Sequence, residues 1–200
     1  MNRFIGACGV ALLLLYHYGH AQVIEFESNG LKYQTLTKSG VTVMFARLPA
    51  RLHEYSIIQV AISNGSAAPY VIRPEDFSYV RGAGAPLNAA PAGTVIAMLV
   101  QKGSGSDLIK LVTTYEAGVY GNPHMKSTNG YEQRRQAAIA AGSSRLKAAA
   151  IASVLAMTQI KLPPGESTDG AVFFPTEGKP LAGGRLVVRT NTDVFEFKSE

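Results

Sequence analysis

Apolar side chains between Val23 and Val80 recur at every second position, the period of strands with one face in a core. Val23 to Glu27 and Leu31 to Leu36 are short extended segments parted by Asn29-Gly30, and Val41 to Phe45 is β-branched and aromatic after Gly40. Tyr55 to Ile62 alternates most cleanly. Ile58, Val60 and Ile62 point one way, and Tyr55, Ile57, Gln59 and Ala61 point the other. Asn64-Gly65-Ser66 supplies a turn, after which Tyr70-Val71-Ile72 and Phe77 to Val80 resume extended structure around Pro74-Glu75-Asp76. This half of the chain predicts antiparallel β-structure.

The period changes beyond the loop Gly82-Ala83-Gly84-Ala85-Pro86. Gly93 to Val100 predicts a weak helix. Ser104 and Asp107 have the spacing at which a hydroxyl and a carboxylate satisfy each other's backbone donors at a helix start. Leu108, Val112, Tyr115 and Val119 then follow on one helical face. Gly121-Asn122-Pro123 ends that helix, and Asn129 with Glu132 opens an alanine-rich helical stretch from about Gly130 to Gln159. Its inward stripe is Ile139, Leu146, Ala150, Val154 and Met157, with Arg134 and Arg145 on the far side; Gly142-Ser143-Ser144 is the point at which it can divide. Leu162-Pro163-Pro164-Gly165 closes the helical region, its Pro-Gly suited to a type II turn. Period two returns in Ala171 to Phe174, Arg185 to Arg189 and Val194 to Phe197, the last two flanking a hairpin loop at Thr190 to Asp193.

The late strands are too few to form a stable sheet alone and are expected to pair with the early ones. The expected fold is mainly β with an α insertion: an antiparallel β-sandwich of seven to eight strands, with residues 22–86 and 161–200 as its halves and residues 87–160 as a helical insertion. Val172 and Val187 should then share a sheet or interior with Ile58 and Val60. The insertion either folds back over its own sandwich, the preferred arrangement, or projects as an arm.

The N-terminus adds a compartment. Arg3 precedes an apolar run from Phe4 to Tyr16, then a short polar stretch, and the small residues Gly19 and Ala21 have the spacing that a signal peptidase reads. Residues 1–21 are therefore expected to be a secretory signal, too short in its apolar run for the ~20 residues that cross a bilayer. Cys8, the one cysteine, lies inside it. The remaining chain is expected to be cysteine-free, which excludes disulfides, thiolate metal sites and cysteine nucleophiles. The chain has 19 basic and 14 acidic residues, but the basic ones form no dense run, so nucleic-acid binding is not expected. No integral membrane segment is expected after cleavage.

Three stretches share a pattern. They are Ile58-Gln59-Val60-Ala61-Ile62-Ser63-Asn64-Gly65-Ser66, then Ile72-Arg73-Pro74-Glu75-Asp76-Phe77, and last Leu162-Pro163-Pro164-Gly165-Glu166 through Gly170-Ala171-Val172-Phe173-Phe174. This resembles the telokin-like, immunoglobulin-fold domains of bacterial exported proteins, in which a V-x-I-x-N-x-S strand is followed by a P-x-D-F turn and a late L-P-P-G-E strand. The resemblance covers about a third of the chain beyond Ala21 and implies an immunoglobulin-like sandwich; it implies no activity.

Candidate chemistry is sparse. Of the four histidines, His53 and His124 lie beyond the signal, in loops and without the spacing that puts two ligands on one helical face. Ser144 and Lys147 have S-x-x-K spacing, but no S-D-N or K-T-G follows. Glu75 and Asp76 read as turn residues, and Asn64-Gly65-Ser66 is formally an N-glycan acceptor. No catalytic residue, metal or cofactor is expected. The expected role is a non-catalytic binding or assembly module of the bacterial cell envelope, periplasmic or extracellular, meeting a protein partner through exposed positions of the insertion: Tyr131, Arg134, Arg135 and Arg145. Two other readings stay open. One is a hydrolase of envelope polymers in which Ser144, Lys147 or His124 meets a carboxylate; the other is small-molecule capture in a closed apolar pocket between insertion and sandwich.

Overall fold

The computed structural model describes residues 22–82, 84–121, 131–140 and 142–198. Residues 1–21, which include Cys8, and residues 122–130, which include His124 and Asn129, lie outside the described residues. Six strands come first: β1 (Ile24–Ser28), β2 (Leu31–Lys38), β3 (Val41–Leu52), β4 (Tyr55–Asn64), β5 (Tyr70–Ile72) and β6 (Phe77–Arg81). The short β7 (Leu87–Asn88) leads into the helices α1 (Ala92–Lys102), α2 (Gly105–Gly121), α3 (Tyr131–Ile139) and α4 (Ser144–Leu155). The chain closes with β8 (Ile160–Leu162), β9 (Ser167–Pro175), β10 (Gly184–Arg189) and β11 (Val194–Lys198). Eleven strands stand among the described residues where seven to eight were expected. The surplus includes β7 and β8, pairings of two and three residues that are too short to carry a period.

The strands form three antiparallel sheets, ordered β1-β2-β3-β4-β9, β11-β10-β6-β7 and β5-β8. The first four strands make a meander through two-residue turns. Asn29-Gly30 and Ser39-Gly40 both take positive φ at each position, the mirror-image turns whose twist matches that of paired strands. β3 runs seven residues past the predicted Phe45, and its register with β4 shifts between Arg47 and Arg51. Pro49, which lacks a backbone donor, sits inside that bulge, where no ladder bond is forfeited.

Early and late strands do pair. Val172 lies opposite Ile58, and β10 lies beside β6. The large sheet turns Phe45, Ile58, Val60, Val172 and Phe174 into an interior that it shares with Phe77, Tyr79, Leu186, Val188, Phe195 and Phe197 of the second sheet. Phe45 meets Phe197 edge-on at 5.0 Å, and Tyr79 meets Phe174 at 6.3 Å. Each such fully buried ring contributes about 2 kcal/mol of transfer free energy. Val187 does not face this interior; its neighbours Leu186 and Val188 do, and alternation turns it outward.

The motif fragments meet around Asn64. Its backbone N–H donates to Glu166 at 2.9 Å and its carbonyl accepts from Gly165 at 2.6 Å. Its amide donates to Ala68 and Leu162 and accepts from Ser66. Gly165, at φ 80°, gives the type II turn that the Pro-Gly pair predicts. Asn64 is completely buried, so the formal glycan acceptor is a turn clamp.

The helices fold back. They cover the second face of the large sheet, where Tyr33, Ala46, Ile57 and Phe173 pack with Leu99, Leu111, Tyr115, Ile151 and Leu155 in a second core. This corrects the one-faced reading of Tyr55 to Ile62: both faces of β4 are buried. The alanine-rich stretch divides at Gly142-Ser143, with the Ser143 hydroxyl capping α4. The break resets the helical phase, so α4 buries Ala148, Ala149, Ile151, Ala152 and Leu155, while Leu146 of the expected stripe is exposed. No helix among the described residues is long and apolar enough to cross a membrane.

Candidate functional site

The helical layer is fastened to the sheet by polar contacts inside the second core. α2 lies close enough for the Tyr33 hydroxyl to donate to the Gly118 carbonyl and for the Gln59 amide to donate to the Tyr115 carbonyl, each at 3.2 Å. The Tyr115 hydroxyl donates to Asp169 of β9 at 2.5 Å. Burial, followed by the Asp169 charge, holds the Tyr115 phenol well above its ordinary pKa, so it remains a donor.

Of the four expected partner-binding residues, two are consumed here. Tyr131 is only 3% exposed; its ring lies 5.7 Å from that of Tyr115 and its hydroxyl donates to Glu116. Its pKa is raised by burial and then by the Glu116 charge. Arg135 is half-buried and ion-paired with Glu116, a coulombic contact without hydrogen-bond geometry at Nε. Helical phase read from an unbroken stretch could not locate these contacts, because they depend on how α3 meets α2. Arg134 and Arg145 are exposed as expected. The Arg145 guanidinium donates to the Gln101 carbonyl at 3.5 Å, joining the start of α4 to the end of α1.

That junction carries a feature the sequence did not flag. Val100, Ile109 and Leu146, at 45%, 65% and 48% exposed, stand at the end of α1, the start of α2 and the start of α4. Each is exposed on its own helix, and Leu146 directly follows Arg145. A Cβ at Gly105 would stand 3.9 Å from the Ser144 hydroxyl, so α2 and α4 also begin close together.

A polar cluster fixes the same end of α2. Asp107 accepts from the Ser104 backbone at 2.9 Å, the Ser104 hydroxyl at 2.7 Å and His53 Nε2 at 3.1 Å, and Ser104 Oγ accepts from the Asp107 backbone at 3.3 Å. The expected capping box is present, and the β3–β4 hairpin is latched to it. The order of contacts is wrong for nucleophile activation, since the serine bonds to the carboxylate rather than to the imidazole. Burial alone would raise the Asp107 pKa, but the Ser104 bonds and the His53 charge outweigh it and hold the carboxyl below its ordinary 3.8. A group whose native pKa is depressed stabilises the fold fully above its unfolded value, and that stability is lost as pH falls through the native one. Thermal unfolding followed between pH 7 and pH 2.5 should therefore show wild type losing stability faster than Asp107→Asn in the acid limb. Parallel curves would remove the latch.

The hydrolase arrangement is not assembled among the described residues: neither Ser144 nor Lys147 meets a carboxylate, and His124 lies outside them. No group of three His, Cys, Asp or Glu side chains is placed to hold a metal, again among the described residues. A cavity of about 680 Å³ opens on the large sheet, but its described lining, including Ile24, Met44, Ala61 and Ser167, comes from strands alone. It is not a closed pocket between helices and sheet. The chain matches no protein-family model, and comparison with curated proteins and with solved structures finds no similar chain.

Proposed function

We propose that this protein is an exported, non-catalytic binding or assembly module of the bacterial cell envelope, built on an immunoglobulin-like two-sheet scaffold. The export assignment rests on the tripartite N-terminus and the scaffold on the resemblance of the three motif stretches. One observation carries the binding role: Val100, Ile109 and Leu146 are exposed where the end of α1 and the starts of α2 and α4 come together, on helices whose buried faces are already occupied by the sheet. Isolated exposed apolar residues are ordinary, but three at one helical junction with an arginine have the make-up of an interface centre.

The test is the triple variant Val100→Ser, Ile109→Ser, Leu146→Ser. Its thermal midpoint should stay close to that of wild type, because none of the three is buried. Tagged protein recovered from the envelope fraction should lose the stoichiometric partner that wild type retains. Equal recovery by both proteins counts against this surface.

A further inference from the structure

On the opposite side of the large sheet from the helices, near the β3 bulge, buried donors lack acceptors. Arg47 Nε and Nη2, Arg81 Nε and the Tyr79 hydroxyl are all sealed from solvent without a hydrogen-bond partner. They belong to one neighbourhood. The Arg47 guanidinium lies 5.9 Å from the Tyr79 ring centre and 5.6 Å from that of Phe45, and Tyr79 and Arg81 share one face of β6. A buried polar group without a partner costs about 1–3 kcal/mol, and more when charged, and of these three residues Arg47 is the one that lines a cavity.

One cavity here has a lining charged with one sign only. Lys32, Arg47 and Arg51 line this cavity of about 500 Å³, together with apolar walls that include Leu48 and Leu181, and no carboxylate is among the lining residues. Among the described residues none of these cations, nor Arg81, forms a salt bridge. Glu25 and Glu27 line an adjoining cavity together with Lys32 and Arg47, and Glu27 lies opposite Lys32 across the β1–β2 pair. The far wall is a loop held by its carbonyls: Arg51 donates to Gly178 at 2.5 Å, Ser56 to Lys179 at 2.9 Å and Arg81 to Pro180 at 3.2 Å. Carbonyl oxygens hold these side chains in place but do not neutralise them.

We infer that this cavity binds a small organic anion, an acidic head of carboxylate or phosphate on a short apolar body, with Arg47 as the principal contact. Nε and Nη2 form one edge of the guanidinium, the fork that meets two oxygens of an acid side by side. Arg47 lines the cavity and must turn this buried edge toward the ligand to bind it, Lys32 adds charge, and the apolar walls take the body. The cavity draws on both cores, Leu48 and Ile57 from the helix side and Leu181 from the other, but no helix residue lines it, so it is separate from the partner surface proposed above.

The experiment is calorimetric titration of the purified protein with hexanoate, hexyl phosphate and, as a neutral control, hexanol. At least one acid should bind saturably, and hexanol at least about tenfold more weakly, since a bidentate charge-assisted pair is worth that much. Which acid binds tighter identifies the head. Arg47→Gln should weaken the acid about tenfold or more. Lys32→Gln, at an exposed position whose replacement leaves the core intact, should weaken it severalfold and keeps the test decisive if Arg47→Gln does not fold. Saturation by neither acid, hexanol binding as tightly as the acids, or a folded variant binding as wild type does would each overturn the inference.

Discussion

Replacing Gly118 by alanine is expected to destabilise the protein by about 2 kcal/mol or more, although glycine-to-alanine in a helix ordinarily stabilises by about 1 kcal/mol. A Cβ at this position would stand 1.7 Å from Gln59 Oε1 and 2.6 Å from its Cδ. The Gln59 side chain is long, but it has nowhere to go: the residue is fully buried, and moving the amide breaks its bond to the Tyr115 carbonyl. The close approach of α2 to β4 is thus set by an absent side chain. The double variant Gln59→Ala with Gly118→Ala separates this cause from general helix effects. In the Gln59→Ala background the alanine at 118 should become neutral or stabilising, a reversal of sign visible in urea unfolding of the four proteins. If Gly118→Ala costs the same in both backgrounds, the contact is not what glycine serves.

Excision of residues 90–160 is expected to leave no soluble folded domain, however compact the remaining β-structure looks on paper. The helices cover much of an apolar sheet face, including Tyr33, Ile57 and Phe173. The two ends of the helical region also occupy the open edge of β9: the Ala90 N–H donates to Phe173 at 2.7 Å, and the Met157 N–H donates to Ala171 at 2.8 Å. The excised chain would present an uncovered hydrophobic face and an unpaired strand edge together, the combination that drives edge-to-edge aggregation. Solubility on expression and amide dispersion in a two-dimensional NMR spectrum check this. A monomeric excised chain with native-like dispersion would show that the helical layer is an ornament on an autonomous sandwich. For the same reason, partner surfaces on the helices are better probed by point variants such as those at Val100, Ile109 and Leu146.

Much of this architecture is local information and was legible in the residues. Tyr55 to Ile62 alternates because a strand places neighbours on opposite faces, and Asn29-Gly30 adopts the positive φ values of a tight hairpin. Ser104 and Asp107 cap a helix because three-residue spacing brings each side chain to the other's backbone. Pro164-Gly165 turns because one ring fixes φ and the next residue has no Cβ. The pairing of early with late strands followed from counting, since the late strands could not make a sheet alone.

What the residues did not disclose depends on neighbours distant in sequence. Tyr131 and Arg135 look like surface residues of a polar helix, and only the packing of α3 on α2 turns them onto Tyr115 and Glu116. Gln59 and Gly118 are unremarkable until a helix crosses a strand at that point. Arg47 is one arginine in a β-stretch, and only the fold brings Phe45 and Tyr79 of two different sheets against its guanidinium. Periodicity reports which side of an element is apolar, because that preference is written in consecutive residues; it carries no record of which other element will arrive there. Sequence alone therefore determined the longer strands, the tight turns, the α2 cap and the order of elements, while tertiary structure decided which polar groups are spent internally, because that depends on which elements meet.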